Sequence, residues 1–192
     1  AGWHAGRRAA GLTQQLLAFS RKQVMQTCAV DLNGLVAGLQ PMLRRLVPEN
    51  IEIEYHLPHD LPPVYADASN IEQVIVNLVV NARDAMPSGG RLIIAAESVT
   101  LDSERVGDHP EARPGSFLRL TLADTGNGIT ESIRGKIFEP FFSTKPIGEG
   151  TGMGLATAYG IIKQHEGWIE VAGQPGLGAI FHVFLPVTLQ PE

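Results

Sequence analysis

Two groups of residues in this chain have types and spacing that could do chemistry. The first is Thr144–Leu155, Thr-Lys-Pro-Ile-Gly-Glu-Gly-Thr-Gly-Met-Gly-Leu, where Gly148, Gly150, Gly152 and Gly154 alternate beside Lys145 and Thr151. Glycine at this density lets backbone N–H groups turn inward towards a ligand. The pattern of Ala156–His165 directly after it predicts a helix, whose N-terminal dipole adds to the attraction for an anion. Phosphate is the ligand this combination asks for; the alternative is a flexible turn before a helix. The second group lies in 67–86. At about 100° per residue, Asn70, Gln73, Asn77, Asn81 and Asp84 fall in one narrow stripe, and most other positions are Ile, Val, Leu, Ala or Met. A helix apolar nearly all round is expected to be buried, so its polar stripe needs partners inside the protein. An internal asparagine network would serve. A ligand or hydrated metal along the stripe is favoured, because two buried asparagines one turn apart are costly to satisfy with protein alone, and amide oxygens are hard ligands suited to Mg²⁺. Ser69-Asn-Ile-Glu72 has the capping-box spacing, which makes Glu72 a helix-start residue and not a general base.

The elements that must position these groups can be read around them. Thr27–Val30 is a short strand candidate, and Asp31 is placed to cap a helix through Leu46, with Pro41 expected to bend it. Ile51–Leu57 alternates as a half-buried strand, and the proline-rich stretch to Pro63 is a connector. Arg91–Leu101 and Phe117–Asp124 are strands flanking a charged surface loop. The second of them ends in Asp124-Thr-Gly-Asn-Gly-Ile129, where the carboxylate either closes a turn or accepts from an exocyclic amine such as that of adenine. Phe138-Glu-Pro-Phe-Phe142 is an aromatic cluster in a loop, read at minimum as core anchoring. Gly167 is expected to end the last helix, before strands over 168–171 and 179–187. The fold class expected is α+β, a two-layer sandwich of a mixed sheet on three helices.

Composition bounds the rest. With 192 residues, 44% hydrophobic, the chain can bury one real core, and a formal net charge of −5 argues against a nucleic-acid surface. No apolar run reaches the roughly 20 residues that span a bilayer. A single cysteine, Cys28, excludes an internal disulfide and fits a reducing, cytoplasmic compartment. Residues 5–23 carry an amphipathic stripe, Leu12, Leu16 and Phe19, with no partner helix in view.

Four elements then converge in order: Asn77/Asn81, Asp124 with Gly126 and Gly128, Phe138–Phe142, and Gly148–Gly154. They resemble the N, G1, F and G2 boxes of sensor histidine kinases. The resemblance covers about residues 5–187. Leu16-Leu-Ala-Phe-Ser-Arg21 resembles the end of the second dimerisation helix of that family. Asn81-Ala-Arg-Asp-Ala-Met86 and Tyr159-Gly-Ile-Ile-Lys-Gln164 look most like the hybrid, PAS-linked subgroup of the CckA type.

The resemblance implies a Bergerat (GHKL) fold holding ATP between the sheet and a mobile lid, with residues 1–25 ending the dimerisation helix and 26–192 forming the catalytic domain. It implies Asp124 on the adenine amino group, Gly126 and Gly128 beside the base, and Ile129 and Phe142 in the nucleotide site. Asn81 and Asn77 would hold Mg²⁺, and Lys145 would contact the γ-phosphate. Gly150, Thr151, Gly152, Met153, Gly154 and Leu155 would surround the phosphates, several through backbone N–H groups. Asp84 is a further nucleotide-side residue, standing where many members carry a basic side chain, and Ala179 stands where a threonine is common. The partners implied are ATP, the dimerisation and phosphotransfer helices, a response-regulator receiver domain and a second copy in the full-length protein, whose membrane anchor, if any, lies outside this chain. His4 is followed by Ala5-Gly6-Arg7, and His56, His59, His109, His165 and His182 fall in strands, loops or a helix end, without the context of the family's phosphoacceptor, which is expected upstream. Asn77 is an amide where hydrolysing relatives (gyrase, Hsp90 and MutL types) resemble one another in a water-activating glutamate, so transfer to a protein is favoured over hydrolysis. A GHKL ATPase and a degenerate nucleotide-binding scaffold remain the alternatives.

Overall fold

The computed structural model describes residues 25–102, 110–146 and 150–187. The stripe of Leu12, Leu16 and Phe19, with nearly all of the expected first domain, and Gly148 fall outside these residues. The chain runs β1 (Cys28–Val30), α1 (Leu32–Leu46), β2 (Ile51–His56), β3 (Val64–Ala66), α2 (Ala68–Ala85), β4 (Gly90–Leu101) and β5 (Gly115–Asp124). It continues through α3 (Glu131–Arg134), α4 (Gly154–Gln164), β6 (Trp168–Gly173) and β7 (Ala179–Pro186). Five strands form a mixed sheet in the order β2-β4-β5-β7-β6, in which only β2 and β4 run parallel. β1 and β3 make a small antiparallel sheet, tied to the end of β7 by the bridge Val64↔Val187. The expected two-layer α+β architecture is borne out.

Period-two alternation decides what faces the helices. On β5, Leu118, Leu120 and Leu122 are buried at alternate positions, opposite Ser98, Ala96 and Ile94 of β4. The next position in that series is Asp124, paired with Leu92. The strand therefore delivers its last carboxylate to the helix-covered face, under the layer formed by α2 and α4, which pack on one another. α2 lays down Ile71, Val74, Ile75, Leu78, Val79 and Ala82 against the same core.

The helix starts are set by caps. Asp31 accepts from the Asn33 N–H at 3.0 Å and starts α1, which continues unbroken through Pro41. Asp67, not Ser69, starts α2: its backbone is extended and its carboxylate accepts from the Asn70 N–H at 3.3 Å. The capping-box reading of Ser69 and Glu72 is thereby displaced by two residues, and Glu72 is exposed. On the other face of the sheet, Trp168 stacks on Phe184 at 4.5 Å and meets Phe117 edge-on at 4.7 Å, with the Arg113 guanidinium 5.7 Å from the Phe117 ring. This second apolar cluster keeps that end of the open face dry.

Candidate functional site

A cleft of about 870 Å³ opens between the end of β5, α2, α3 and the start of α4. Its lining brings together, from distant stretches, Asn77, Asn81 and Asp84 of α2, Asp124, Gly128 and Ile129 after β5, and Phe142. Lys145, Gly150, Thr151, Gly152, Gly154 and Leu155 complete the far wall. Gly126 and Met153 stand just behind it. Met153 is buried, and its N–H is bonded to Thr151 Oγ1 at 3.3 Å.

The polar stripe of α2 divides. Asn77 and Asn81 are half-buried and face the cleft; among the described residues neither side chain makes a hydrogen bond. Gln73 is exposed and Asn70 sits at the capped helix start, so neither lines the cleft. The stripe is thus not buried inside the protein, as its apolar surroundings led one to expect. It borders an open cavity, whose wall it shares with the loop after β5 and the start of α4. Two amide oxygens one turn apart on that wall suit a hard divalent cation or its water shell.

At the deep end, Asp124 is 6% exposed. Its Oδ1 accepts the Gly126 N–H at 2.9 Å and the Ala179 N–H at 3.3 Å. Burial pushes the carboxyl above its ordinary value, and these two backbone donors oppose the shift. Both bonds fall on Oδ1, which leaves Oδ2 for the cleft. Ala179, lacking a hydroxyl, contributes through its backbone instead. The loop after β5 is packed on its neighbours. A Cβ on Gly126 would lie 2.4 Å from Ala85 O, and one on Gly128, at φ +72°, would lie 1.9 Å from Gln174 O. These glycines let loops approach one another, which is how the carboxylate is held in place.

The aromatic run separates three ways. Phe138 packs on the core and stacks on Tyr159 at 5.2 Å, Phe142 lines the cleft, and Phe141 is 58% exposed with φ +67°. The Phe141 N–H donates to Gly152 O at 3.0 Å, and a Cβ on Gly152 would lie 2.4 Å from the Phe141 carbonyl carbon. The start of the glycine loop and the start of α4 are pinned together at that point.

At the mouth, Lys145 Nζ pairs with Asp84 Oδ2. Arg83 Nε and Nη2 hold the Oδ1 of the same carboxylate at 2.8 and 2.7 Å. Burial alone would raise Asp84, but the bonds and charges of Lys145 and Arg83 outweigh it and hold the carboxyl below its ordinary value. Sequence reading missed Arg83, Asn50, Asn127, Ile133 and Ile137 on the cleft wall. Arg83 was visible only as an odd charge on an apolar helix. Ile133 belongs to α3, whose four residues are too few to show a period.

The profile of the family described as histidine kinase-, DNA gyrase B-, and HSP90-like ATPase matches residues 66–189. Sensor kinase CckA of Brucella abortus (strain 2308) is 46% identical over 96% of this chain and 20% of its own length. Signal transduction histidine-protein kinase AtoS of Escherichia coli (strain K12) is 35% identical over 92% of the chain and 27% of its own. The chain thus spans about a fifth to a quarter of these curated relatives. The structure of full-length ShkA in complex with AMPPNP superposes with a TM-score of 0.74 at 25% identity, over 95% of this chain and 36% of that one. Histidine kinase ThkA in complex with response regulator protein TrrA gives a TM-score of 0.69 at 25% identity, over 98% and 50%.

Proposed function

The chain belongs to the histidine kinase-, DNA gyrase B- and HSP90-like ATPase family, as an ATP-binding catalytic domain of the sensor histidine kinase kind; from that premise we propose that it passes the γ-phosphate of ATP to a histidine on a dimerisation domain of its parent protein. In that step a histidine ring nitrogen bonds to the γ-phosphorus, the bond from phosphorus to the bridging oxygen breaks, and ADP leaves. Such a transfer needs positioning and charge neutralisation more than covalent participation by the protein.

One observation carries the choice of transfer over hydrolysis. The carboxylates lining the cleft, among the described residues, are Asp84 and Asp124. Asp84 is engaged by Arg83 and Lys145, and Asp124 by two backbone N–H groups. Between them α2 presents the amides Asn77 and Asn81, which have no basicity with which to activate water.

The remaining roles follow from position. Asp124 would accept the adenine amino group through Oδ2, with Ile129 and Phe142 beside the base and Gly126 and Gly128 fixing the loop. Asn81 and Asn77 would hold Mg²⁺, which supplies charge neutralisation on the phosphates when bound. Gly150, Thr151, Gly152, Met153, Gly154 and Leu155 surround the start of α4, where backbone N–H groups and the helix dipole favour polyphosphate. Lys145 adds a cation at the mouth, next to Asp84. A response-regulator receiver domain would then take the phosphoryl group from the histidine, a step in keeping with the ThkA complex. We also place residues 1–25 with the dimerisation helix and 26–192 with the catalytic domain.

The test is transfer in trans. Incubated with radiolabelled ATP and a separate dimerisation domain bearing the acceptor histidine, the protein should label that domain with acid-labile phosphate, and Asn81→Ala should stop it. Brisk ATP turnover with no labelling of the acceptor would overturn the reading in favour of a hydrolase.

A further inference from the structure

Asp84 and Lys145 are 61 residues apart in sequence and meet at the cleft mouth. The two partners are not equally free to leave. Asp84 is anchored: it stands in the last turn of α2, and Arg83 grips its Oδ1 while donating through Nη1 to Leu46 O, the last carbonyl of α1, at 3.3 Å. Lys145 lies on a loop, held there by its N–H to Ser143 Oγ at 3.1 Å and by Gly150, where an added Cβ would stand 3.0 Å from the lysine Cδ. If the pair parts, Asp84 keeps Arg83 as its partner, while the Lys145 ammonium can turn to another anion in the cleft. Lys145 lines the same cleft as Asn77, Asn81 and the Gly150–Gly154 turn, where polyphosphate is expected.

We propose that Asp84 is an internal competitor for Lys145: it occupies the lysine while the cleft is empty and gives it up to the nucleotide's phosphates, so that it sets nucleotide affinity. This rests on the reading of the cleft as an ATP site. The chemistry is an exchange of salt-bridge partners. The ammonium leaves a carboxylate for a more highly charged phosphate, and the carboxylate stays compensated by Arg83. Because Arg83 remains, the exchange strands no charge, which is what makes it inexpensive. The arrangement also keeps the lysine beside the cleft instead of extended into water. A neutral residue at position 84 would lose that placement but would remove the competition. For a half-exposed pair the competition is the larger effect, since ordering one lysine is a small term and the carboxylate also repels an incoming polyanion.

Calorimetric titration with a non-hydrolysable ATP analogue and Mg²⁺ tests this on four proteins: wild type, Asp84→Asn, Lys145→Met and the double variant. Asp84→Asn should bind about two- to tenfold more tightly, with a smaller gain for ADP, and Lys145→Met should bind more weakly. In the Lys145→Met background the Asp84→Asn gain should shrink below about twofold, because the competition runs through the lysine. Asp84→Ser, which removes the same charge, should reproduce the Asp84→Asn result if that variant folds poorly. Weaker binding by both Asp84 variants, or a gain undiminished without Lys145, would overturn the competitor role while leaving the ATP site standing. No binding by the wild type would remove the site itself, and the inference with it.

Discussion

The backbone N–H of Asp67 donates to Nε2 of His165 at 3.0 Å, joining the first turn of α2 to the end of α4 across 98 residues of sequence. The other ring nitrogen, Nδ1, lies 2.8 Å from Ile161 O, and a carbonyl can only accept. Nδ1 therefore carries the proton and Nε2 is the acceptor, in a neutral imidazole. The Asp67 carboxylate also takes the Gln26 N–H on Oδ2 at 3.0 Å. One residue thus caps α2, holds the entering chain and ties down α4, and α2 and α4 form two walls of the cleft.

His165→Ala should be destabilised by about 2–4 kcal/mol. The histidine is 5% exposed, so its removal leaves the part-buried Asp67 N–H without this partner and an unfilled space behind it. His165→Leu, which fills the space but accepts no hydrogen bond, should recover only part of the loss. Urea denaturation of both variants measures this, and two midpoints at the wild-type value would refute the joint.

Asp124→Asn should separate stability from binding. The folded-state pKa of Asp124 is raised above its ordinary 3.8, chiefly by burial. For a raised carboxyl, the stabilising contribution is full below that ordinary value and is lost as pH rises through the folded value. At neutral pH the ionised group therefore costs stability. The asparagine keeps an oxygen for the Gly126 and Ala179 N–H groups without the buried charge. The variant should be at least as stable as wild type at about pH 7, with the difference closing as pH falls towards about 4. Its nucleotide affinity should fall by at least about tenfold, the size of one lost charged hydrogen bond. A destabilised variant with intact affinity would contradict both halves.

How much of this was legible in sequence varied with the range of the interaction. Asp124 was visible as a carboxylate closing an apolar strand, because alternation is a local property and puts it on the face of Leu118, Leu120 and Leu122. The wheel of α2 correctly grouped Asn77, Asn81 and Asp84. It left an internal network and a ligand both open, with the ligand favoured, since what lies across from a helix face is set by distant segments such as Phe142 and Lys145. Choosing Ser69 over Asp67 as the cap was a local tie, broken by Gln26 and His165, which no window around residue 67 contains. The pairing of Lys145 with Asp84 is non-local in the same way. β3 and α3, at three and four residues, are shorter than one clear period.

Two glycine-to-alanine substitutions should act in opposite directions. At Gly128, φ is +72° and an added Cβ would stand 1.9 Å from Gln174 O. Both the backbone and the neighbouring turn would have to move, and stability should drop by at least about 2 kcal/mol. At Gly38, inside α1 and exposed, an added Cβ meets nothing within 4 Å. Alanine there removes only the entropic penalty of glycine in a helix, and stability should rise by about 0.5–1 kcal/mol. Thermal melts of the pair would show it; a stabilised Gly128→Ala would mean that the loop after β5 packs differently.

His182 should give the fold a mild acid sensitivity. It lies on the open face of the sheet, its Nδ1 2.8 Å from Thr121 Oγ1, in register with Thr121 on one side and Glu170 on the other. Burial lowers its pKa from the ordinary 6.5 and the Arg119 charge adds to this, while Glu170 and Glu97 pull the other way. Glu97 is engaged with Arg119 at 2.6 Å, which blunts its pull. For a histidine with a lowered folded value, stability is full above the ordinary pKa. It falls as pH drops through 6.5, because the unfolded chain takes up a proton that the folded one refuses. The slope is bounded at about 1.4 kcal/mol per pH unit for one proton. His182→Gln keeps a polar side chain beside Thr121 but cannot titrate. The loss of stability between about pH 7.5 and about pH 5.5 should therefore be smaller in His182→Gln than in wild type. An identical loss would assign the acid sensitivity to other groups and show that the Thr121 contact does not restrain the charge state of His182.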